Sequence, residues 1–292
     1  MSDQLVRVMS SDGSIRASAA STTNLVAQIC SLQGTDPTAT VALGRMLSAT
    51  CLMGSLLKGG QRLALTIEGN GPLQKLQAET DAFGAVRATI KQPVCNLPPR
   101  NDNFDVANAI GKAGFLHVIK DLGLKEPYHG TVQLVTSEIA EDIAHYFAVS
   151  EQTPTSLALG VTLDSQAGVA ASGGLLIQAL PGCQDEVVTQ LEGALQGLEP
   201  VSTLLRAGSS PMAILEQVFQ GIPFALQSSY ALTFNCSCSR QYVATMLSGL
   251  SVEERSALLQ RSEDTLVTCE YCKHEYRFTA ADLRAVIPEI KK

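Results

Sequence analysis

The order of hydrophobic patterns predicts an α+β fold in three parts. A mixed α/β core domain spans residues 1–182, a helical linker spans 183–234, and a small C-terminal four-cysteine module spans 235–292. Three observations carry this division. Short alternating apolar runs separated by turn residues dominate the first part. After Pro181-Gly182 they give way to helical spacing punctuated by glycine and proline. Four of the eight cysteines then fall in two tight pairs, while Cys30, Cys51, Cys95 and Cys183 are scattered singly.

In the first part, Leu5–Met9 and Ile15–Ala19 read as strands around an Asp12-Gly13 turn. Asp36-Pro37 has the form of an N-cap followed by proline at the first helical position. The apolar positions from Val41 to Leu57 predict a long helix there, stopped by Gly59-Gly60. Further strands are expected at 62–68, 85–90, 114–120, 130–135, 157–163 and 175–180. Between them, Ile139, Ile143 and Phe147 mark one helical face in 138–149.

The linker places Val187, Val188, Leu191, Leu195 and Leu198 at helical spacing. A second helix follows the Ser210-Pro211 cap pair, with Ile214, Leu215, Val218 and Phe219 as its apolar residues. Gly208, Gly221 and Pro223 break these helices. Short helices are marginal alone, so they are expected to be helical when docked and exposed when released; an ordinary helical subdomain has the same signature. In the last part, Ser251-Val-Glu-Glu254 is a capping box, and Leu258 and Leu259 lie on the helix it opens. The stretches 266–268 and 275–278 can pair as a hairpin with Cys269 and Cys272 at its turn. Thr279 to Asp282 caps a final helix, ended by Pro288.

Composition narrows the function classes. With 45% apolar residues the chain can bury a substantial core. A formal charge of −7 and the absence of tryptophan argue against overall attraction to nucleic acid and against base-stacking platforms. No apolar run approaches the ~18 residues of a membrane span, and the start Met1-Ser2-Asp3-Gln4 lacks a signal-peptide pattern. A soluble cytoplasmic protein without catalytic activity is the expectation. Ser172 lacks the first glycine of a nucleophile elbow, and Gly111-Lys112-Ala113-Gly114 is not a phosphate loop. His117, His129 and His145 are dispersed, and Cys30 and Cys51 sit in apolar helical contexts as packing residues.

The paired cysteines carry the chemistry. Cys236-Ser-Cys238 and Cys269-Glu-Tyr-Cys272 supply four soft ligands, the donor set that Zn²⁺ prefers in a closed tetrahedral site. One zinc ion per chain, held by all four, would leave no position for water, so hydrolysis is excluded. A unit this small with few large apolar residues needs such a staple. Each pair can also close a local disulfide, and zinc keeps the sulfurs in the thiolate form that oxidants attack. Oxidation would remove a staple worth on the order of 10–16 kcal/mol, so the site reads as a thiol redox switch. Other classes stay open. Cys269-x-x-Cys272 alone could belong to a thiol-disulfide oxidoreductase, although no βαβ pattern surrounds it. A nucleic-acid- or ribosome-binding zinc module would need a basic footprint, whereas residues 235–292 balance eight basic against eight acidic side chains. His274 could replace one thiolate as a ligand, but four already suffice.

These residues resemble a family, the redox-regulated 33 kDa heat-shock chaperonin of bacteria. Asn235-Cys-Ser-Cys-Ser-Arg240 and Cys269-Glu-Tyr-Cys-Lys-His-Glu-Tyr-Arg-Phe278 are similar to its two zinc signatures. Lys120-Asp-Leu-Gly-Leu-Lys-Glu-Pro-Tyr128, Ser150-Glu-Gln-Thr-Pro154 and Ser172-Gly-Gly-Leu-Leu-Ile-Gln-Ala-Leu-Pro181 are similar to its core motifs. One departure is Arg240-Gln241-Tyr242, where the family usually has Arg-Glu-Arg. The resemblance implies an ATP-independent holdase that is a zinc-bound, inactive monomer when reduced. Oxidants would form Cys236–Cys238 and Cys269–Cys272 disulfides, expel zinc, and unfold module and linker. The exposed surfaces would hold unfolding client proteins, typically as a homodimer.

Overall fold

The computed structural model describes residues 2–99, 103–260 and 263–286. It divides into two compact units, Met1–Asn235 and Cys236–Lys292.

The first unit opens with β1 (Gln4–Ser10) and β2 (Ile15–Ser21), joined by a turn in which Asp12 Oδ1 accepts from Ser10 Oγ at 2.5 Å and Ser14 N at 3.0 Å. Helices α1 (Thr23–Gln33) and α2 (Pro37–Gly54) follow. Asp36 caps α2 by accepting from Ala39 N at 2.8 Å. Next come β3 (Arg62–Gly69), β4 (Lys75–Asp81), β5 (Ala85–Ile90), α3 (Val106–Ile110), β6 (Gly114–Asp121), β7 (Tyr128–Gln133), α4 (Ile139–Ser150), β8 (Thr155–Leu163) and β9 (Val169–Ala179). The linker supplies α5 (Asp185–Gln196), α6 (Val201–Arg206), α7 (Pro211–Val218), β10 (Phe224–Ala231) and β11 (Thr233–Phe234).

Two sheets result, ordered β10-β1-β2-β9-β8 and β11-β5-β4-β3-β6-β7. Every pairing is antiparallel except β11 against β5. Helix α2 packs on strands of both sheets, and nearly all of its residues are buried. That explains its apolar character on every side. Its core includes Leu43, Met46, Leu47 and Leu52 with Leu65, Ile67 and Val118.

The five-stranded sheet is apolar on both faces because both are covered. Leu5, Ala20 and Leu176 join the α1–α2 core. The opposite alternation of Val6, Val8, Ile15, Ala17, Ala19, Leu175 and Ile177 packs under Leu191, Val201, Leu204, Ile214, Leu215, Val218 and Phe219 of the linker. At Gly173 a Cβ would come within 2.2 Å of Ala20 O, so only glycine lets β9 approach β2 there. Two motifs singled out in the sequence, 120–128 and 150–154, meet in this unit. Lys120 pairs with Glu151, whose Oε1 also accepts from the Tyr146 hydroxyl at 2.7 Å, and the ammonium lies 5.9 Å from the Tyr128 ring.

Several elements differ from the sequence expectation. The long helix ends at Gly54, short of Gly59-Gly60, because Ser55 Oγ donates to Leu52 O and Ser55 O accepts from Arg7 Nη1. Strand β7 stops at Gln133, since Val135 N and Thr136 N donate to Asp142 Oδ1. The segment 183–234 is not helical throughout: its helices end at Val218, and the rest forms β10 and β11. Gly208 and Gly221 follow α6 and α7 at φ +96 and +82.

The second unit contains α8 (Arg240–Ser248), α9 (Val252–Leu259), the hairpin β12 (Thr265–Thr268) with β13 (Glu275–Phe278), and α10 (Ala280–Val286). The Ser251–Glu254 capping box forms in both directions. Pro288, expected to end the last helix, lies outside the described residues. Among the described residues its buried apolar core is small: Val243, Ala244, Leu247, Phe278 and Leu283.

Candidate metal centre

Two loops of the second unit bring four sulfurs together. Cys236 and Cys238 precede Ser239, which caps α8 by accepting from Tyr242 N at 3.1 Å. Cys269 and Cys272 lie in the β12–β13 turn. There Cys269 N donates to His274 O and Lys273 N to Cys269 O, both at 2.9 Å, with Lys273 at φ +59. A tight turn of this kind points both thiols of a Cys-x-x-Cys inward.

All four Sγ atoms lie within 4.8 Å of one another, and they are the only such group of possible metal ligands among the described residues. Two approaches cross between loops: Cys236 to Cys269 at 3.7 Å, and Cys238 to Cys272 at 3.3 Å. A tetrahedral zinc with Zn–S bonds of ~2.3 Å has sulfurs ~3.8 Å apart. The observed spacing and the all-sulfur donor set fit such an ion. Each cysteine is half-buried, so the cluster sits near the surface.

Crowded thiols perturb one another. For Cys269, burial pushes the pKa up, but N–H donation from Cys272 and Tyr271 and contact with the Cys236 and Cys272 thiols outweigh it, leaving it at about 7. Cys272 is pushed up to about 12 by burial and by its neighbouring thiols. A negative charge on one sulfur thus opposes a charge on the next, and a cation resolves the conflict.

Other groups brace the cluster. The Tyr276 hydroxyl donates to Cys238 Sγ at 3.1 Å. Arg240 donates to Arg277 O at 2.6 Å, pairs with Asp282 at 3.0 Å, and lies 4.4 Å from the centre of the Phe278 ring. These contacts tie the Cys-x-Cys loop to β13 and α10. No local pattern reveals this role for Arg240, because its partners lie 37 to 42 positions away. Gln241 and Tyr242 are both exposed, so that departure from the family pattern touches no ligand. His274 is outside the sulfur group and packs edge-on against Tyr276 at 4.6 Å.

The remaining sequence candidates do not assemble into a second site. Ser172 is buried and shares hydrogen bonds with Thr22 and Ser48. His117 contacts Thr131 Oγ1 at 3.0 Å on the outer face of its sheet. Cys30 and Cys51 are buried in the core. No helix among the described residues is long and apolar enough to cross a membrane.

A family model described as Hsp33 protein matches residues 3–279. The 33 kDa chaperonin of Syntrophotalea carbinolica is 53% identical over 98% of this chain and 100% of its own length. That of Geobacter sulfurreducens is 48% identical over 97% and 94%. The crystal structure of the 33 kDa chaperonin from Thermotoga maritima superposes with a TM-score of 0.90 at 32% identity, covering 98% of both chains. On this agreement of sequence and fold, the chain belongs to the Hsp33 family of chaperonins.

Proposed function

We propose that the protein is a redox-switched holdase: inactive with its four thiolates on one zinc ion, and active after they are oxidised. The observation that carries this reading is the cluster of four sulfurs within 4.8 Å, drawn from two loops of a unit whose buried apolar core, among the described residues, is five side chains. Zinc, when bound, holds these sulfurs as thiolates and joins the two loops. Oxidation by peroxide converts two thiolates to one disulfide; the thiolates lose two electrons, and the peroxide takes these with two protons from solvent to become two waters. Two such events, forming Cys236–Cys238 and Cys269–Cys272, consume all four ligands. The module then has too little apolar core to stay folded.

The linker carries the consequence. Helices α5–α7 cover Val6, Val8, Ile15, Ala17, Ala19, Leu175 and Ile177 of the five-stranded sheet. Release of these helices would present an apolar sheet face together with their own apolar sides. Surfaces of this kind hold unfolding proteins by burial alone, without nucleotide. In this reading the oxidised form acts in the cytoplasm as a homodimer, and neither nucleic acid nor membrane is a partner.

Light scattering of a chemically unfolded client tests the proposal. Suppression of aggregation by peroxide-treated protein, and none by reduced protein containing one zinc per chain, is the expected result. Equal suppression by both forms, or reduced protein free of metal, would overturn it.

A further inference from the structure

The last residues before the cysteine module occupy a sheet edge in an unusual way. Among the described residues of the first unit, β11 is the single parallel strand, and it pairs with β5 through Thr233↔Ala85 and Phe234↔Val86. Thr233 N donates to Gly84 O at 2.9 Å and Asn235 N to Val86 O at 3.0 Å. The next acceptor along this edge, Ala88 O, receives the side-chain amide of Gln33 at 3.2 Å. Gly84, Val86 and Ala88 alternate as the acceptors of a parallel ladder. A borrowed two-residue strand thus fills the first two, and a side chain stands in for a backbone N–H at the third. Leu232 is buried and Phe234 packs against the main core, while Thr233 and Asn235 are exposed.

We infer that the outer edge of β5 is an acceptor for an extended segment of client polypeptide, closed in the reduced protein by residues 233–235. The ladder fixes the occupant's chemistry. It must offer N–H groups on alternate residues and place apolar side chains at the positions of Leu232 and Phe234. Any unfolded chain with an apolar-polar-apolar stretch satisfies this, because main-chain hydrogen bonds do not read sequence. The closing strand is held by few bonds and leads directly into Cys236, so loss of order in the module frees it at one end. This inference rests on the redox-switch reading for its trigger, but the acceptor itself is independent of that reading.

The test uses the full chain and a fluorescent peptide, Ala-Leu-Thr-Phe-Asn, copying residues 231–235. A second peptide is N-methylated at its threonine and asparagine amides. Oxidised wild type, and reduced Thr233→Pro protein in which the first latch bond is deleted, should both bind the plain peptide. Each should bind the methylated one roughly tenfold more weakly, the loss of two hydrogen bonds. Reduced wild type should bind the plain peptide roughly tenfold more weakly than oxidised wild type. Equal binding of the two peptides would overturn the inference, since burial alone would then hold them. So would oxidised protein that suppresses aggregation yet binds neither peptide, or crosslinks placing residues 231–235 of a second copy against β5. Should Thr233→Pro fail to fold, the oxidised wild-type comparison decides by itself. Amide-dependent binding to Thr233→Pro, with no oxidant-dependent client suppression, would sink the switch reading and leave the acceptor standing.

Discussion

The Tyr276 hydroxyl reaches across from β13 to donate to Cys238 Sγ at 3.1 Å. A hydrogen bond to a thiolate stabilises its charge and fixes its direction, so this contact would support a metal ion held by the four sulfurs. Tyr276→Phe removes only that oxygen. The expected result is a fall in zinc affinity of roughly tenfold and faster metal release by peroxide, read by chelator competition. Unchanged affinity would mean that the hydroxyl merely fills space.

The scattered cysteines are expected to be spectators. Burial raises the Cys30 thiol to about 11 against hydrogen bonds with Thr35 and Thr40, and burial raises Cys51 as well. Neutral buried thiols are poor nucleophiles. Replacing Cys30, Cys51, Cys95 and Cys183 with alanine should cost roughly 1 kcal/mol at each buried site and leave oxidant-triggered client holding intact. Loss of the switch in folded variant protein would show that the regulatory thiols lie elsewhere.

Asp36 offers a pH test of the core. Its carboxylate accepts from Ala39 N at 2.8 Å, Cys95 N at 2.7 Å and Asn96 N at 2.8 Å. Burial acts to raise its pKa, but these amides and the Cys95 thiol outweigh it, leaving it below 3.8. A carboxylate depressed in the folded state contributes stability above its unfolded pKa and loses it as pH falls through the folded value. Asp36→Asn should therefore cost about 1 kcal/mol at neutral pH, because charge-assisted bonds from three amides are replaced by fewer, neutral ones. In urea titrations the difference from wild type should shrink below pH ~4. A gap that stays constant into acid would rule out the carboxylate charge as its source.

Local signals were legible and distant ones were not. The two cysteine pairs, the Asp36-Pro37 cap and the Ser251–Glu254 box are written within a few residues, and each forms in the structure. Strand β4 escaped notice because its buried positions are Leu76, Ala78 and Thr80, two of them small. The start of β9 is disguised by Ser172-Gly173-Gly174, which serve close strand approach in place of apolar bulk. Strand β10 carries almost no buried side chain and exists because β1 pairs with it across more than two hundred residues. Arg240 likewise gains its role from Phe278 and Asp282, which no local pattern connects to it.

The linker prediction separates a switch from a domain that zinc simply stabilises. Leu215 is fully buried on α7, in the cluster that covers the five-stranded sheet. Its helix is eight residues long, so its order depends on docking rather than propensity. Leu215→Glu removes apolar burial worth roughly 1.5–3 kcal/mol and adds the cost of desolvating a carboxylate. The four clustered cysteines are not members of this apolar cluster and are unchanged in the variant. The expected protein retains one zinc per chain, loses hydrogen-exchange protection across 183–226, and holds clients without oxidant. If exchange shows the helices released while clients still aggregate as with reduced wild type, release of α5–α7 is not sufficient. Oxidation or dimerisation would then have to supply a surface of its own.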